Sequence, residues 1–234
     1  MGILYNRFNP QENIFLLPYS NKSKVITYLT PDNFKGNSST SWGDEYTYPM
    51  TASSDTWDLA LDGKSVRLHH PSSSSLYATI NTGEIRNFTV YIVAKYAGNN
   101  PESSFGFKAR ASGAGDATIF HDNSSSSRKR LGSTLATWNG GNYMYFSGTS
   151  AYDAFQAYSI SVGYNSKPIH VLNGSNAATF SYNNTASPRL FLFDENFAYN
   201  SEVYIKLLAI VSEAESSTVL QNNINFIREK LNLT

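Results

Sequence analysis

The sequence predicts an all-β sandwich of two antiparallel sheets closed by one C-terminal helix. Three observations carry that expectation. Short apolar segments recur along the chain, punctuated by Gly, Asn and Ser. A last apolar run, Lys206-Leu207-Leu208-Ala209-Ile210-Val211, reads as a buried strand. Beyond it Leu220, Ile224, Ile227 and Leu231 recur at steps of four, three and four, on one face of a helix. Ser212 and Glu215, three apart, predict a capping box that satisfies two free N–H groups at its start.

Residues 1–55 are the least regular part, an N-terminal docking arm or the first strands of the sandwich, and 56–234 form the main domain. Ile14–Leu17 and Val25–Leu29 are expected strands, separated by the turn residues Pro18 to Asn21. Trp42, Tyr46 and Tyr48 fall in this irregular part and are candidate docking aromatics, of the kind enriched at interfaces. Trp57–Leu61 and Ser65–His69 flank Asp62-Gly63, a tight-turn dipeptide, and Trp57 is expected in the core. Phe88–Lys95 is β-branched and aromatic throughout and apolar on both faces, hence a central strand. Further strands are expected at Ser104–Lys108, Ala117–His121, Tyr143–Phe146, Ala157–Val162, Ile169–Leu172, Ala178–Tyr182 and Arg189–Phe193.

Composition bounds the partners. Eighteen basic and eighteen acidic residues balance, so the basic excess that nucleic-acid binding needs is missing. The local cluster Arg128-Lys129-Arg130 is read as decoration of a loop tip. Charged residues are only 15%, which leaves Ser, Thr, Asn and Tyr to cover the surface and suits neutral polar partners such as carbohydrate. The absence of cysteine removes disulfides, thiol catalysis and Cys-based metal sites together. No signal-peptide pattern opens the sequence and no apolar run reaches the ~20 residues of a membrane span, so no membrane partner is expected.

Four segments, in order, resemble the concanavalin A-like lectin/glucanase jelly roll, and within it the laminin-G-like domains of bacterial and phage surface proteins. Leu59–Leu68 is similar to that family's early hairpin through Asp-Gly, and Asn87–Lys95 to its central strand. Ile169–Gly174 matches the late hairpin that ends in Asn-Gly. The closing strand and helix complete the likeness, which covers residues 57–234. The family's closing strand often begins with an acidic residue, and Lys206 sits near that place here.

The resemblance implies three chemistries to weigh. Glycan hydrolysis needs two carboxylates across the scissile bond, and the glucanase branch sets them as Glu-x-Asp-x-x-Glu on one strand. That triplet is missing, and Asp194-Glu195 are adjacent, so they would point to opposite faces of a strand. Calcium, the one cofactor left open, would draw on Asp116, Asp122 with Asn123, and Asp194; the alternative is that these residues cap turns. His69-His70, His121 and His170 show no metal-binding spacing and are read as surface or hydrogen-bonded core histidines. Sugar binding would use Trp138, Asn139, Asn142 and Tyr143 around a Gly-Gly turn, with Tyr152 and Asp153 on the same rim; in the alternative Trp138 folds back into the core.

The expected function is therefore a non-enzymatic virion surface protein, on a phage tail or capsid, whose jelly roll adheres to host surface glycan. Its N-terminal segment would bind other virion proteins, and a homo-oligomer is compatible with both roles. The alternatives are a purely structural decoration protein of the particle and a glycan hydrolase, and the alternative location is a bacterial cell surface.

Overall fold

The computed structural model describes residues 15–34, 38–39, 41–43, 47–52, 57–59, 64–69, 78–97, 105–111, 115–122, 130–134, 143–147, 149, 151, 154–179, 183–193 and 202–233. Its first strands are β1 (Val25–Leu29), β2 (Ser38–Ser39), β3 (Ser41–Trp42), β4 (Met50–Ala52), β5 (Trp57–Leu59), β6 (Val66–His69), β7 (Ala78–Asn81) and β8 (Phe88–Ala97). There follow β9 (Phe105–Ala111), β10 (Gly115–Asp122), β11 (Arg130–Thr134), β12 (Tyr143–Ser147), β13 (Gln156–Val162) and β14 (Ile169–Leu172). The chain ends in β15 (Ser175–Thr179), β16 (Pro188–Phe193), β17 (Glu202–Val211) and helix α1 (Ser217–Lys230).

These strands make two antiparallel sheets. A nine-stranded sheet runs β15-β14-β13-β8-β17-β6-β5-β2, with β1 also on β17, and an eight-stranded sheet runs β12-β11-β10-β9-β16-β7-β4-β3. The long β17 serves two short neighbours on one edge: Glu202–Ile205 pair with β6 and Leu208–Val211 with β1.

The expected central strand is β8, flanked by β13 and β17. Its Phe88, Val90, Ile92 and Ala94 point into the core between the sheets, where Phe88 meets Phe191 of β16 edge-on at 5.4 Å. Its Tyr91 and Val93 point outward, yet they are fully buried. They lie in a second apolar layer made by Leu220, Ile224 and Ile227 of α1 with Leu16, Leu17, Val25 and Tyr28. A strand covered on both faces needs the unbroken apolar run that β8 shows.

The late hairpin is as expected. Asn173 (φ 51°) and Gly174 (φ 74°) both adopt left-handed backbone, which a tight two-residue turn between twisted strands requires. The helix also comes close here: a Cβ on Gly174 would lie 2.0 Å from Asn225 Oδ1 on α1, so that side chain would have to swing away. Arg228 of the helix donates to the Asn173 carbonyl at 2.6 Å, so turn and helix are joined.

Several expectations are corrected. Phe15–Ser20 form turns rather than a strand, and Ile14 lies outside the described residues. Leu16 and Leu17 are buried all the same, with the Leu16 N–H donating to Tyr28 Oη at 3.1 Å. Trp42 is a core residue, not a docking aromatic; its indole N–H donates to Thr30 O and Asn33 Oδ1, satisfying its one polar atom. Arg130 opens β11 instead of ending a loop tip, while Arg128 and Lys129 lie outside the described residues. The strand expected at Ala178–Tyr182 starts earlier, at Ser175 of β15, and residues 180–182 lie outside the described residues.

The capping box is displaced as well. Ser216 is the N-cap and accepts from Val219 N, whereas Ser212 Oγ donates to Lys24 O at 3.0 Å. Thr89 of β8 competes for the intervening backbone. Its hydroxyl donates to Glu213 O and accepts from Glu215 N, which keeps this stretch out of the helix.

Candidate functional site

The described surface presents an exposed aromatic, Tyr164, on a turn anchored at several points. Tyr164 follows β13 in a turn where Ser166 N donates to Gly163 O, and Asn165 takes left-handed backbone (φ 57°). Two asparagines fix this turn from other parts of the chain. Asn87 Oδ1, just before β8, accepts from Tyr164 N at 2.9 Å. Asn184 makes a parallel bridge with Tyr164, accepts from Asn165 N, and donates its own N–H to Ser166 O. Asn184 is fully buried, and its side-chain amide is held by both polar groups of Ala186.

The ring itself stands out into solvent, with Tyr164 46% exposed. The Arg86 guanidinium carbon lies 5.4 Å from the ring centroid, within cation–π range. Asn165, Ser166 and Lys167 are exposed beside it. The loop carrying Arg86 is fixed through Ile85 N on Pro188 O and Thr82 N on Arg189 O. A flat ring on an anchored turn, with amide, hydroxyl and cationic groups at its rim, can stack on the C–H face of a pyranose and bond its hydroxyls. Little ordering entropy remains to be lost on binding, because the turn is already fixed.

Most of the residues expected from sequence to bind sugar are not among the described ones. Trp138, Asn139, Asn142, Tyr152 and Asp153 lie outside the described residues, and Tyr143 opens β12 at an edge of the eight-stranded sheet. Of the calcium candidates, Asn123 and Asp194 lie outside the described residues. Asp116 and Asp122 belong to strand β10 instead of a loop. The six residue steps from Asp116 to Asp122 set their backbones about 20 Å apart in a strand, too far for one ion at about 2.3–2.6 Å ligand distances. Among the described residues no group of three or more His, Asp or Glu side chains converges on a point.

The closing strand starts earlier than expected. β17 begins at Glu202, four residues before Lys206, and Glu202 Oε1 accepts from Arg67 at 3.1 Å while Oε2 accepts from the Tyr204 hydroxyl at 2.6 Å. The remaining titratable groups of note are interior. His170 packs between the sheets with its ring 4.6 Å from that of Phe146 and its Nδ1 3.1 Å from Tyr158 Oη. Burial pushes its pKa down to about 4, which keeps it neutral.

Under α1, Tyr91 donates to Glu215 Oε2, and Asn223 Nδ2 donates to both Tyr91 Oη and Ser20 Oγ at 2.9 Å. Burial is the main reason both acids are held above their ordinary pKa values. This cluster ties Ser20, β8 and the helix together and is sealed from solvent.

Tyr164 itself was not singled out in the sequence. The signal was there, an aromatic inside the turn-forming run Gly163-Tyr164-Asn165-Ser166, the same signature that drew attention to Trp138.

No protein-family model and no curated protein sequence matches the chain. Solved structures do. The binding domain of botulinum neurotoxin DC in complex with rat synaptotagmin II aligns with a TM-score of 0.62 at 12% identity, over 91% of this chain and 52% of that one. The same toxin domain in complex with SialylT aligns at TM-score 0.60 and 12% identity, over 91% and 52%. Trypanosoma rangeli sialidase aligns at 0.58 and 10%, over 89% of this chain and 33% of the enzyme. The chain thus spans about half of the toxin binding domains and a third of the sialidase, and what it shares with them at this identity is the β-sandwich fold.

Proposed function

We propose that the chain is a non-enzymatic glycan-binding module with a concanavalin A-like jelly roll, serving attachment to a host surface from a phage tail or capsid. The observation that carries the reading is the Tyr164 corner, an exposed aromatic on a turn anchored by Asn87 and Asn184. The similar solved structures lend support, since one toxin binding domain is in complex with SialylT and cell entry of botulinum neurotoxin type C depends on interaction with two ganglioside molecules. A neutral chain without cysteine suits a particle protein that folds in a reducing cytoplasm before assembly.

Glycan-array binding of the full chain tests this, with Tyr164→Ala as the decisive variant. Binding should fall at least about tenfold, the ~1.4 kcal/mol scale of one lost aromatic contact, with the melting temperature retained. A parent chain that binds no glycan, or a variant that binds unchanged, removes the proposal.

A specific observation also favours a protein partner. Phe15 and Tyr19 are 58% and 53% exposed on the turns ahead of β1, which suits an N-terminal segment that binds other virion proteins. Co-assembly of the chain with tail or capsid proteins, lost on Phe15→Ser with Tyr19→Ser, would establish that second role.

A further inference from the structure

The segments that build the Tyr164 corner are more positive than the neutral chain around them. Residues 82–87, 163–167 and 184–190 hold Arg86, Lys167 and Arg189 against one acid, Glu84, so three cations less one acid leave a charge of +2. All four side chains are exposed. Among the described residues none of the three cations makes an ion pair, and Arg86 is engaged only by the Tyr164 ring, 5.4 Å from its centroid.

Arg189 reaches the surface through a bulge. Pro188 pairs with Ala111 and Leu190 with Arg110, which makes Arg189 the extra residue of β16 against β9. Strict alternation would set Arg189 on the face of Phe191 and Phe193, and both of those lie in the core between the sheets. The shift in register lets the two phenylalanines stay inside while the arginine is exposed. Bulges commonly re-aim a side chain in this way near functional sites.

Backbone bonds bring the three cations to one place. Thr82 N donates to Arg189 O at 3.2 Å and Ile85 N to Pro188 O at 2.9 Å, so Arg86 and Arg189 adjoin the same pair of bonds. Lys167 directly follows Ser166, whose carbonyl accepts from Asn184 N at 2.7 Å, and Asn184 lies four residues before Pro188.

We propose that the Tyr164 corner takes an acidic sugar, one that carries a carboxylate or sulfate, with its ring against Tyr164 and its anionic group held by Arg86, Arg189 and Lys167. A guanidinium presents its N–H groups in a planar fork that matches two oxygens of either anion. An arginine beside an aromatic ring keeps N–H groups at its edge, where they can fix an anion next to a stacked sugar. Like charges gathered at one corner repel each other, and an anionic ligand relieves that repulsion where a neutral sugar does not. Duplex nucleic acid is the less suited polyanion, since the chain as a whole lacks the wide basic field that such binding uses. The inference rests on the glycan-binding reading and narrows it to one ligand class.

The test is an array printed with sialylated, uronate-bearing and sulfated glycans beside their neutral parents. Titration of the full chain then follows with the tightest acidic glycan, its neutral parent and duplex DNA. The acidic glycan should bind at least about tenfold more tightly than its parent, and the array separates carboxylate from sulfate as the group recognised. Arg86→Gln with Arg189→Gln should weaken that binding at least about tenfold and flatten its salt dependence, with the melting temperature retained. Lys230→Gln removes one charge beyond the opposite end of β13, where Arg228 bonds Asn173, and should leave binding unchanged. Neutral parents that bind as tightly, and lose binding on Tyr164→Ala, overturn this inference and leave the glycan reading standing. An array with no binder at all removes both. A folded double variant that binds like the parent, or DNA that binds as tightly, also overturns it.

Discussion

The two faces of the nine-stranded sheet bury apolar surface by different means. The inner face packs against a second sheet, and its neighbours come from many parts of the chain, with Phe88, Ile92, Tyr158 and Ile210 beside Phe107, Phe120 and Phe191. The outer face is covered by one short helix and one N-terminal segment, and beyond their reach it changes to Lys95, Tyr204 and Lys206. Each face also encloses a titratable group, His170 within and Glu215 without. A cover made of one helix can be removed locally. A core shared by two sheets cannot.

The largest effect should come from the helix. Ile224 is fully buried against the outer layer, and Ile224→Ala removes its packing and leaves a cavity, at a cost of about 2–5 kcal/mol. Denaturant unfolding measures the loss. Hydrogen exchange then sharpens the contrast: amides of α1 should exchange early, while those of β8 and β13 keep their protection. Uniform loss of protection across both faces would mean that the cover and the core form one cooperative unit.

The inner face should show itself at acid pH. The unfolded chain takes up a proton on His170 near pH 6.5, whereas burial holds the folded-state value at about 4. The folded state binds fewer protons in that window, so stability is full above 6.5 and falls as pH drops towards 4. The loss amounts to roughly 3 kcal/mol. His170→Gln does not titrate, and a plot of its unfolding free energy should be flatter between those limits. An unchanged slope would place the acid sensitivity elsewhere.

How much of this was legible follows from where each signal lies. β8 and the second half of β17 could be read because burial on both faces demands long apolar runs, and Asn173-Gly174 because its backbone angles restrict the residues allowed. β2, β3, β4 and β7 are two to four residues long and mostly polar or small, and pairing across the sheets forms them. The helix face was correct and its cap was not, because Thr89, more than a hundred residues earlier, takes the backbone at Glu213 and Glu215. The Tyr164 corner was hidden for the same reason: Asn87 and Asn184 present the ring, and neither is its sequence neighbour. Lys206 was noticed as a departure from an expected acid, but only the register of β17 reveals it as the inserted residue of a bulge.

The smallest effect separates the faces by sign. Burial beneath α1 raises the Glu215 carboxyl above its ordinary 4.5, so the folded state holds that proton more tightly than the unfolded chain does. Its contribution to stability is fully present below 4.5 and is lost as pH rises through the folded-state value, the opposite trend to that of His170. Glu215→Gln keeps the shape and an acceptor for the Tyr91 hydroxyl while removing the ionisation. Unfolding at pH 7 should therefore give a small gain in stability over the parent, and unfolding at pH 4 should give none. A variant less stable than the parent at pH 7 would show that the ionised carboxylate is favourable beneath the helix. The Tyr91 bond would then outweigh desolvation, and the cover would depend on a buried charge as well as on apolar contact.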